Sequence, residues 1–297
     1  MSISTVKATI NGQTYNLTLN NSTGKYEATV SAPASSSYNK DGHYYPVTIT
    51  ATDTAGNSAS IDDTDSSLGN KLKLVVKEKT APVITITSPT ASALIANNKP
   101  SITWTVTDDD SGVNPDTVSI TIDSGAKITA GITKNKTTNG YNCSYTPQAA
   151  LADGSHTIKV DASDNDGNAA TQKTVTFSID TVPPTLSITS PANGLVTNIS
   201  TITVSGTSND VTSSPVTITV NGTAVTVGSD GAFTTSIKLT EGENTITVIA
   251  TDSAGKKTTV TRTVTLDTTP PVFSNVTVTP NPVDAGKTYV ITVEVTD

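Results

Sequence analysis

The sequence predicts an all-β protein made of small sandwich domains in series. Its 297 residues are too many for one sandwich of ~100 residues and suit about three in a row. Hydrophobic residues make up 34% of the chain and charged residues 15%, and threonine and serine dominate the remainder. This balance is typical of short strands with a hydroxyl-rich outer face. A repeated pattern of strands and turns marks the units of the series.

Three segments share one pattern of turn, strand and turn. They read DGHYYPVTITATDTAGN from residue 41, DGSHTIKVDASDNDGN from residue 153 and EGENTITVIATDSAGK from residue 241. Apolar residues alternate with polar ones in each, as Val47, Ile49 and Ala51 do in the first. Such alternation predicts strands that are buried on one face.

Each repeat is followed by another strand and then by a joint marked by proline. The joints read EKTAP from residue 78, DTVPP from residue 180 and DTTPP from residue 267. Proline fixes φ and biases the preceding residue towards extended geometry, so these links are short and stiff. The joints therefore predict domain boundaries and a rod-like array.

Aligning the joints divides the chain into four predicted segments. Residues 81–182 and 183–269 each contain about seven strand-sized segments and form complete sandwich domains. Residues 1–80 form a domain that lacks its first two strands, and residues 270–297 supply the first two strands of a further domain. Either the tail of one subunit is donated to the head of the next in a filament, or the chain is a fragment of a longer array.

The Asp-x-Ala-Gly-Asn turn followed by the Asp-x-x-Pro-Pro joint resembles the bacterial immunoglobulin-like (Ig-like) domains found in tandem in large surface adhesins, cell-wall proteins and phage tail proteins. The pattern covers nearly the whole chain and departs at Glu78, Asp166 and Lys256. The resemblance implies tandem immunoglobulin-like β-sandwich domains and a structural subunit or stalk of an extracellular surface adhesin or filament. Two alternatives stay open: a spacer or decoration module of a phage tail, and a carbohydrate-binding accessory module of a secreted enzyme.

Acidic residues recur at the three joints and in the three repeated turns. If a turn lies at the end of a domain, its aspartate and a joint carboxylate can converge on one Ca²⁺, which prefers about 6 to 8 oxygen ligands. The resemblance implies the same role, because calcium is thought to stiffen the stalks of related adhesins. The alternative is local, since aspartate also accepts hydrogen bonds from turn amides. The candidate metal ligands are Asp53, Glu78, Asp164, Asp180, Asp252 and Asp267.

The run Asp108-Asp109-Asp110 admits the same two interpretations, and the loop interpretation is the simpler one. Calcium at the domain joints is the one cofactor that the sequence suggests.

Composition and motifs argue against several classes of function. The net charge is -8 without a basic run, so a nucleic acid is not expected as a partner. No apolar run approaches the ~18 residues of a membrane span. His43 and His156 are the only histidines, and we expect both to be exposed beside turns. Without a phosphate-binding glycine loop or zinc spacing, we predict that the chain is not an enzyme.

Cysteine and aromatic residues complete the sequence-based expectations. Cys143 is the only cysteine, so an internal disulfide is excluded and an oxidising environment is tolerated. We expect an extracellular or cell-surface location, with a phage virion as the alternative. Trp104 is expected in a core, and Tyr38, Tyr44 and Tyr45 form a local group that a glycan would contact. The expected partners are copies of the chain itself in a head-to-tail filament or neighbouring surface or virion proteins.

Overall fold

The computed structural model describes residues 2–297, and β-strands make up nearly all of its regular structure. The chain divides into two compact units, Met1–Ile179 and Asp180–Asp297. Within residues 2–297 there is no helix with the length and apolar character needed to cross a membrane. The prediction of an all-β fold with tandem sandwich domains is confirmed.

The head, residues 2–80, contains one sheet. Its order is β3-β2-β1-β4-β5, with β6 paired to β4. The β1–β2 hairpin turns through Asn11 and Gly12, both at positive φ, as a two-residue hairpin of this type requires. The strands are β1 (Ile3–Ile10), β2 (Gln13–Asn20), β3 (Lys25–Glu27), β4 (Tyr45–Asp53), β5 (Ser58–Ile61) and β6 (Lys73–Leu74).

The next domain is a sandwich of two four-stranded sheets, with orders β10-β13-β14-β8 and β11-β12-β9-β7. Alternate side chains point into the space between the sheets, so Trp104, Ile158 and Phe177 are almost completely buried. The expected core position of Trp104 is confirmed. The strands are β7 (Val83–Ser88), β8 (Leu94–Ile95), β9 (Ile102–Thr107), β10 (Val113–Ile122), β11 (Thr133–Thr137), β12 (Gly140–Tyr145), β13 (Gly154–Asp164) and β14 (Lys173–Ile179).

The second unit contains another sandwich, with sheets β15-β17-β20 and β16-β22-β21-β18-β19. Its core includes Val204, Phe233 and Val248. Its strands are β15 (Thr185–Ser190), β16 (Leu195–Thr197), β17 (Thr201–Asn209), β18 (Thr217–Val220), β19 (Thr223–Val225), β20 (Ala232–Lys238), β21 (Gly242–Thr251) and β22 (Lys257–Leu266).

The tail, residues 270–297, is a hairpin that forms a sheet of its own. It consists of β23 (Val272–Thr279) and β24 (Val290–Thr296), which pair antiparallel. Every residue of the tail is exposed. The predicted pair of strands is therefore present, and no other strand among the described residues covers it.

The two histidines differ in their surroundings. His43 is exposed as expected, but the same expectation is wrong for His156, which is 8% exposed because it lies in β13 with its ring against Phe177. Its Nδ1 lies 2.9 Å from Asp123 Oδ2 and its Nε2 lies 2.7 Å from the Ala152 carbonyl oxygen. Burial acts to lower the pKa of His156, but these acceptors outweigh burial and the pKa is raised.

The stability of the sandwich that contains His156 is expected to fall as the pH rises through the pKa of folded His156. Because that pKa lies above the unfolded value, the charged ring stabilises the folded state fully below about pH 6, and the stabilisation is lost at higher pH. Thermal unfolding at about pH 5.5 and pH 8.5 measures the difference. A His156→Gln variant lacks this component, and an unchanged pH dependence in that variant would contradict the assignment.

Candidate metal centres

Each of the three repeated aspartates starts a turn that its own carboxylate stabilises. The Asp164 amide donates to the Asn168 carbonyl oxygen at 3.1 Å, and Asp164 Oδ1 accepts from the Asn168 amide at 2.7 Å. Gly167 supplies the required positive φ of 95°. The local interpretation thus accounts for both carboxylate oxygens of Asp53 and Asp164, whose Oδ2 atoms accept from the side-chain amides of Asn57 and Asn168, whereas Asp252 Oδ2 has no hydrogen-bond partner. The same pair of backbone and side-chain bonds joins Asp53 to Asn57 and Asp252 to Lys256.

The first carboxylate triad consists of Glu78, Asp108 and Asp164. One carboxylate oxygen from each residue lies within 4.8 Å of the other two. Glu78 comes from the joint before β7, Asp108 directly follows β9, and Asp164 ends β13. Backbone amides hold two of them in place: Ser111 donates to Glu78 Oε1 and Gly112 donates to Asp108 Oδ1, both at 2.7 Å.

The surroundings of Asp108 in the first triad disfavour its charged form. Burial raises the pKa of Asp108, the amides of Gly112 and Asp110 act against it, and the charges of Glu78 and Asp164 raise it further. The net effect is a raised pKa. A bound cation would lower the pKa of Asp108, because its attraction for the carboxylate would outweigh the repulsion from Glu78 and Asp164.

The second triad consists of Asp180, Asp210 and Asp252, and it is more deeply buried. Their exposed fractions are 0%, 6% and 6%, and one oxygen from each lies within 4.8 Å of the other two. Asp180 Oδ2, Asp252 Oδ2 and the Ser213 hydroxyl are buried without a hydrogen-bond partner. Buried polar atoms normally have partners, so three unpartnered oxygens in one place indicate a site that a cation or a hydrogen-bond donor would satisfy.

Local contacts position Asp210 and favour the charged form of Asp180 in the second triad. The amides of Thr212 and Ser213 donate to Asp210 Oδ1 at 2.8 Å each. Burial acts to raise the pKa of Asp180, but Ser213, the Val182 amide, Thr212 and the charge of Lys256 outweigh it, and the pKa is lowered. Ser213 lies near enough to stabilise the Asp180 charge, although its hydroxyl makes no hydrogen bond of good geometry. Asp180 is therefore a carboxylate at neutral pH.

Among the described residues, no basic side chain forms an ion pair with either triad, although the charge of Lys256 acts on Asp180. Among residues 2–297 the ion pairs are Lys127–Asp161 and His156–Asp123. Two negative charges at the observed spacing repel each other by on the order of 3 kcal/mol at an effective dielectric constant of about 20. A set of hard oxygen donors with uncompensated charge fits Ca²⁺ by its chemistry.

The structure brings together four of the six predicted ligands. Glu78 lies with Asp164, and Asp180 lies with Asp252. The structure places Asp53 at the end of β4 and Asp267 on the exposed segment before β23. Neither of these two belongs to such a group among the described residues.

Sequence reasoning missed the third member of each triad. Asp210 was not considered, and Asp108 was seen only as part of an acidic run. The other two residues of that run have separate roles, since Asp109 accepts from Asn139 and Asp110 accepts from the Ser36 amide. The available signal was position: both missed aspartates directly follow the third strand of their domain, β9 and β17.

Two family comparisons match parts of the chain. Residues 82–160 match the bacterial Ig domain, and residues 184–268 match domain B of glucodextranase. No curated protein matches the chain.

Similar solved structures include the fibronectin(III)-like modules of Clostridium thermocellum CbhA, at 22% identity over 62% of this chain and 94% of that one, with a TM-score of 0.38. A titin I-band fragment is 11% identical over 89% of this chain and 88% of that one, with a TM-score of 0.41. Dimeric latent PorU from Porphyromonas gingivalis is 16% identical over 90% of this chain and 30% of that one, with a TM-score of 0.31.

The chain is thus built from tandem Ig-like domains. Such domains are generally non-catalytic and serve as structural or accessory modules, and bacterial Ig domains are typically extracellular.

Proposed function

We propose that the chain is a structural subunit of an extracellular surface filament or adhesin stalk, that it has no catalytic activity, and that subunits assemble head-to-tail by strand donation. One observation supports this proposal: the head contains a single sheet without an opposing sheet, and the tail is a separate hairpin with an exposed apolar face. The partner is a second copy of the same chain.

The head has the sheet for one half of a sandwich. Its central strands β1, β4 and β5 pair in the same order as β10, β13 and β14 of the complete domain. Residues 2–80 contain no counterpart of the opposing sheet formed by β7, β9 and β12. Among these residues Val6 and Tyr45 are the only buried hydrophobic side chains. The other apolar residues of its inward face, such as Val47 and Ile49, are only half-buried.

The tail has the strands that the head lacks. Ile291, Val293 and Val295 alternate along β24 as the buried residues Ile102, Trp104 and Val106 do along β9. Their partners across the hairpin are also apolar, so one face carries six such side chains. The pairs are Phe273 with Val295, Val276 with Val293, and Val278 with Ile291.

Docking this face onto the head sheet would bury side chains that are now 41% to 67% exposed. Each would contribute on the order of 1 kcal/mol through the hydrophobic effect. Because the tail of one chain meets the head of the next, the contact is heterologous and repeats along a filament.

Calcium is the second part of the proposal. We infer that Ca²⁺ binds at the Glu78–Asp108–Asp164 and Asp180–Asp210–Asp252 triads. The clustered carboxylates favour the ion in both, and two unpartnered carboxylate oxygens favour it further in the second. Each ion would tie a joint carboxylate to the domain that follows it and thereby restrain the joint. Such restraint suits a stalk or filament that carries mechanical load.

A charge on the apolar face of the tail tests strand donation. Val293→Asp would bury an unpaired carboxylate in the junction and is expected to weaken assembly by roughly 100-fold or more. Thr292→Asp places the same charge on the opposite face of β24 and is the matched control. Sedimentation velocity and electron microscopy of the full chain measure assembly.

Wild type and Thr292→Asp are expected to form long species at concentrations where Val293→Asp stays monomeric. A wild-type chain that remains monomeric at all concentrations, with or without calcium, would overturn the proposal. The same holds if residues added before Met1 fold over the head and stabilise it within one chain.

An accessory module of a carbohydrate-active enzyme is the second candidate. The match of residues 184–268 to domain B of glucodextranase favours it. The tyrosine group does not form an open platform, since Tyr45 is 3% exposed and the Tyr38 ring stacks on His43 at 4.4 Å. Binding of the full chain to a glycan array would support this function over the filament.

A further inference from the structure

The three repeated turns differ in the residue that closes them. Asn57 and Asn168 close the first two turns, and Lys256 closes the third. In all three, the backbone amide of this residue donates to Oδ1 of the turn aspartate, at distances of 2.7 to 2.9 Å. The backbone hydrogen bond of the turn is therefore the same, and only the side chain of the closing residue changes.

The asparagine side chains occupy the second carboxylate oxygen of their aspartates. Asn57 Nδ2 donates to Asp53 Oδ2 at 3.0 Å, and Asn168 Nδ2 donates to Asp164 Oδ2 at 2.6 Å. Asn168 Nδ2 also lies 3.2 Å from the carbonyl oxygen of Glu78, another member of the first triad. Both carboxylate oxygens of Asp164 thus accept hydrogen bonds from within the protein.

Lys256 leaves the second carboxylate oxygen of Asp252 without a hydrogen-bond partner. Within residues 2–297, the buried carboxylate oxygens that lack a partner are Asp252 Oδ2 and Asp180 Oδ2, and both residues belong to the second triad. The buried hydroxyl of Ser213 beside them lacks a partner as well. The unpartnered oxygen of Asp252 therefore coincides with the one turn in which lysine replaces asparagine.

We propose that residue 256 makes the two triads unequal, so that the second binds Ca²⁺ more tightly than the first: Lys256 leaves Asp252 Oδ2 available as a ligand, whereas Asn168 occupies Asp164 Oδ2. This inference rests on the proposed binding of calcium at both triads. An oxygen that accepts a hydrogen bond has committed a lone pair to the donor, and an ion competes with that donor for the oxygen. Because hydrogen bonds to charged acceptors are strong, the competition lowers affinity by about tenfold or more.

The charge of Lys256 acts in the opposite direction. Burial acts to raise the pKa of Asp180, and the charge of Lys256 is among the causes that lower it, so the ammonium group acts on the triad. The same charge repels a bound cation. Replacing the lysine with asparagine therefore changes both the local charge and the hydrogen bonding of Asp252 Oδ2.

Two substitutions at the half-buried position 256 separate these effects. Lys256→Met removes the charge without supplying an amide, and its second triad is expected to bind Ca²⁺ at least as tightly as that of the wild type. Lys256→Asn removes the same charge but supplies the amide present at Asn168, and it is expected to bind about tenfold more weakly than Lys256→Met. Titration calorimetry with calcium chloride measures both in the full chain carrying Val293→Asp, so that assembly contributes no heat.

The same titration without a change at position 256 is expected to show two classes of calcium site, with dissociation constants that differ by about tenfold or more. Asp252→Asn should remove the tighter class. Asn168→Met, which removes the amide from the first triad, should tighten the weaker class.

Two results would overturn the inference while leaving calcium binding intact: equal affinities of Lys256→Asn and Lys256→Met, or loss of the weaker class in Asp252→Asn. A chain that binds no calcium would overturn both the inference and the calcium part of the proposed function. Strand donation is measured separately, by the assembly of the chain without Val293→Asp.

Discussion

Replacing Asp252 with asparagine is expected to abolish the stabilisation by calcium of the sandwich in the second unit. In the wild type, calcium at about 100 times its dissociation constant adds about 2.7 kcal/mol to the free energy of unfolding. In Asp252→Asn the gain is lost, because the second triad loses a charged ligand. Without calcium the variant is expected to be at least as stable as the wild type, since repulsion from Asp180 and Asp210 is relieved.

Asp252→Asn is thus expected to lower stability relative to the wild type with calcium but not without it. This difference distinguishes metal binding by Asp252 from its role in the turn. Asparagine retains an oxygen that can accept the bond from the Lys256 amide, so a purely local function predicts little change with or without calcium. Asp230→Asn is the control, because Asp230 is exposed and only accepts from the Ala232 amide in its own turn. Calorimetry with calcium and with chelator measures both variants. Equal calcium stabilisation of Asp252→Asn and wild type would refute the site.

Replacing Trp104 with alanine is expected to lower the stability of its domain by about 3–5 kcal/mol. Trp104 is 1% exposed between the two sheets, so its removal leaves a large cavity that the strands can fill only in part. The unfolding temperature of this domain should fall by more than about 10 °C.

Thr105→Ala provides the comparison for this substitution. Thr105 follows Trp104 in β9 and points to the outer face, so its loss is expected to cost less than about 0.5 kcal/mol. The sandwich in the second unit has a separate core, and its calorimetric transition should stay unchanged in both variants. If Trp104→Ala lowered the unfolding temperatures of all the transitions together, this would be evidence against independent sandwich modules.

The sequence was sufficient for the fold because its signals are local. Alternating residues such as Ile158 and Val160 marked one buried face of β13, and they are buried in the structure. Joint prolines and glycine-containing turns separated the strands without any need for long-range information. His156 was placed wrongly because its burial depends on Asp123 and Phe177, which are distant in sequence.

The two carboxylate triads were only partly predictable from the sequence, because their third members also depend on contacts between residues distant in sequence. A repeated turn aspartate and a repeated joint carboxylate are visible in one dimension, which identified Glu78, Asp164, Asp180 and Asp252 as candidate ligands, and the structure shows which of them lie together. The third ligand is defined by the pairing of β7 with β9 and of β15 with β17, and that register brings Asp108 and Asp210 to the joint. Strand register is a tertiary property, so spacing alone did not distinguish Asp108 from its acidic neighbours.

The most direct measurement of the central claim is the number of calcium ions bound by the monomeric Val293→Asp chain in equilibrium dialysis. Two ions per chain are predicted, one at each complete triad, and Asp252→Asn in this background should reduce the number to one. A Val293→Asp chain that binds no calcium at millimolar concentration would contradict the assignment of these buried carboxylates as metal ligands.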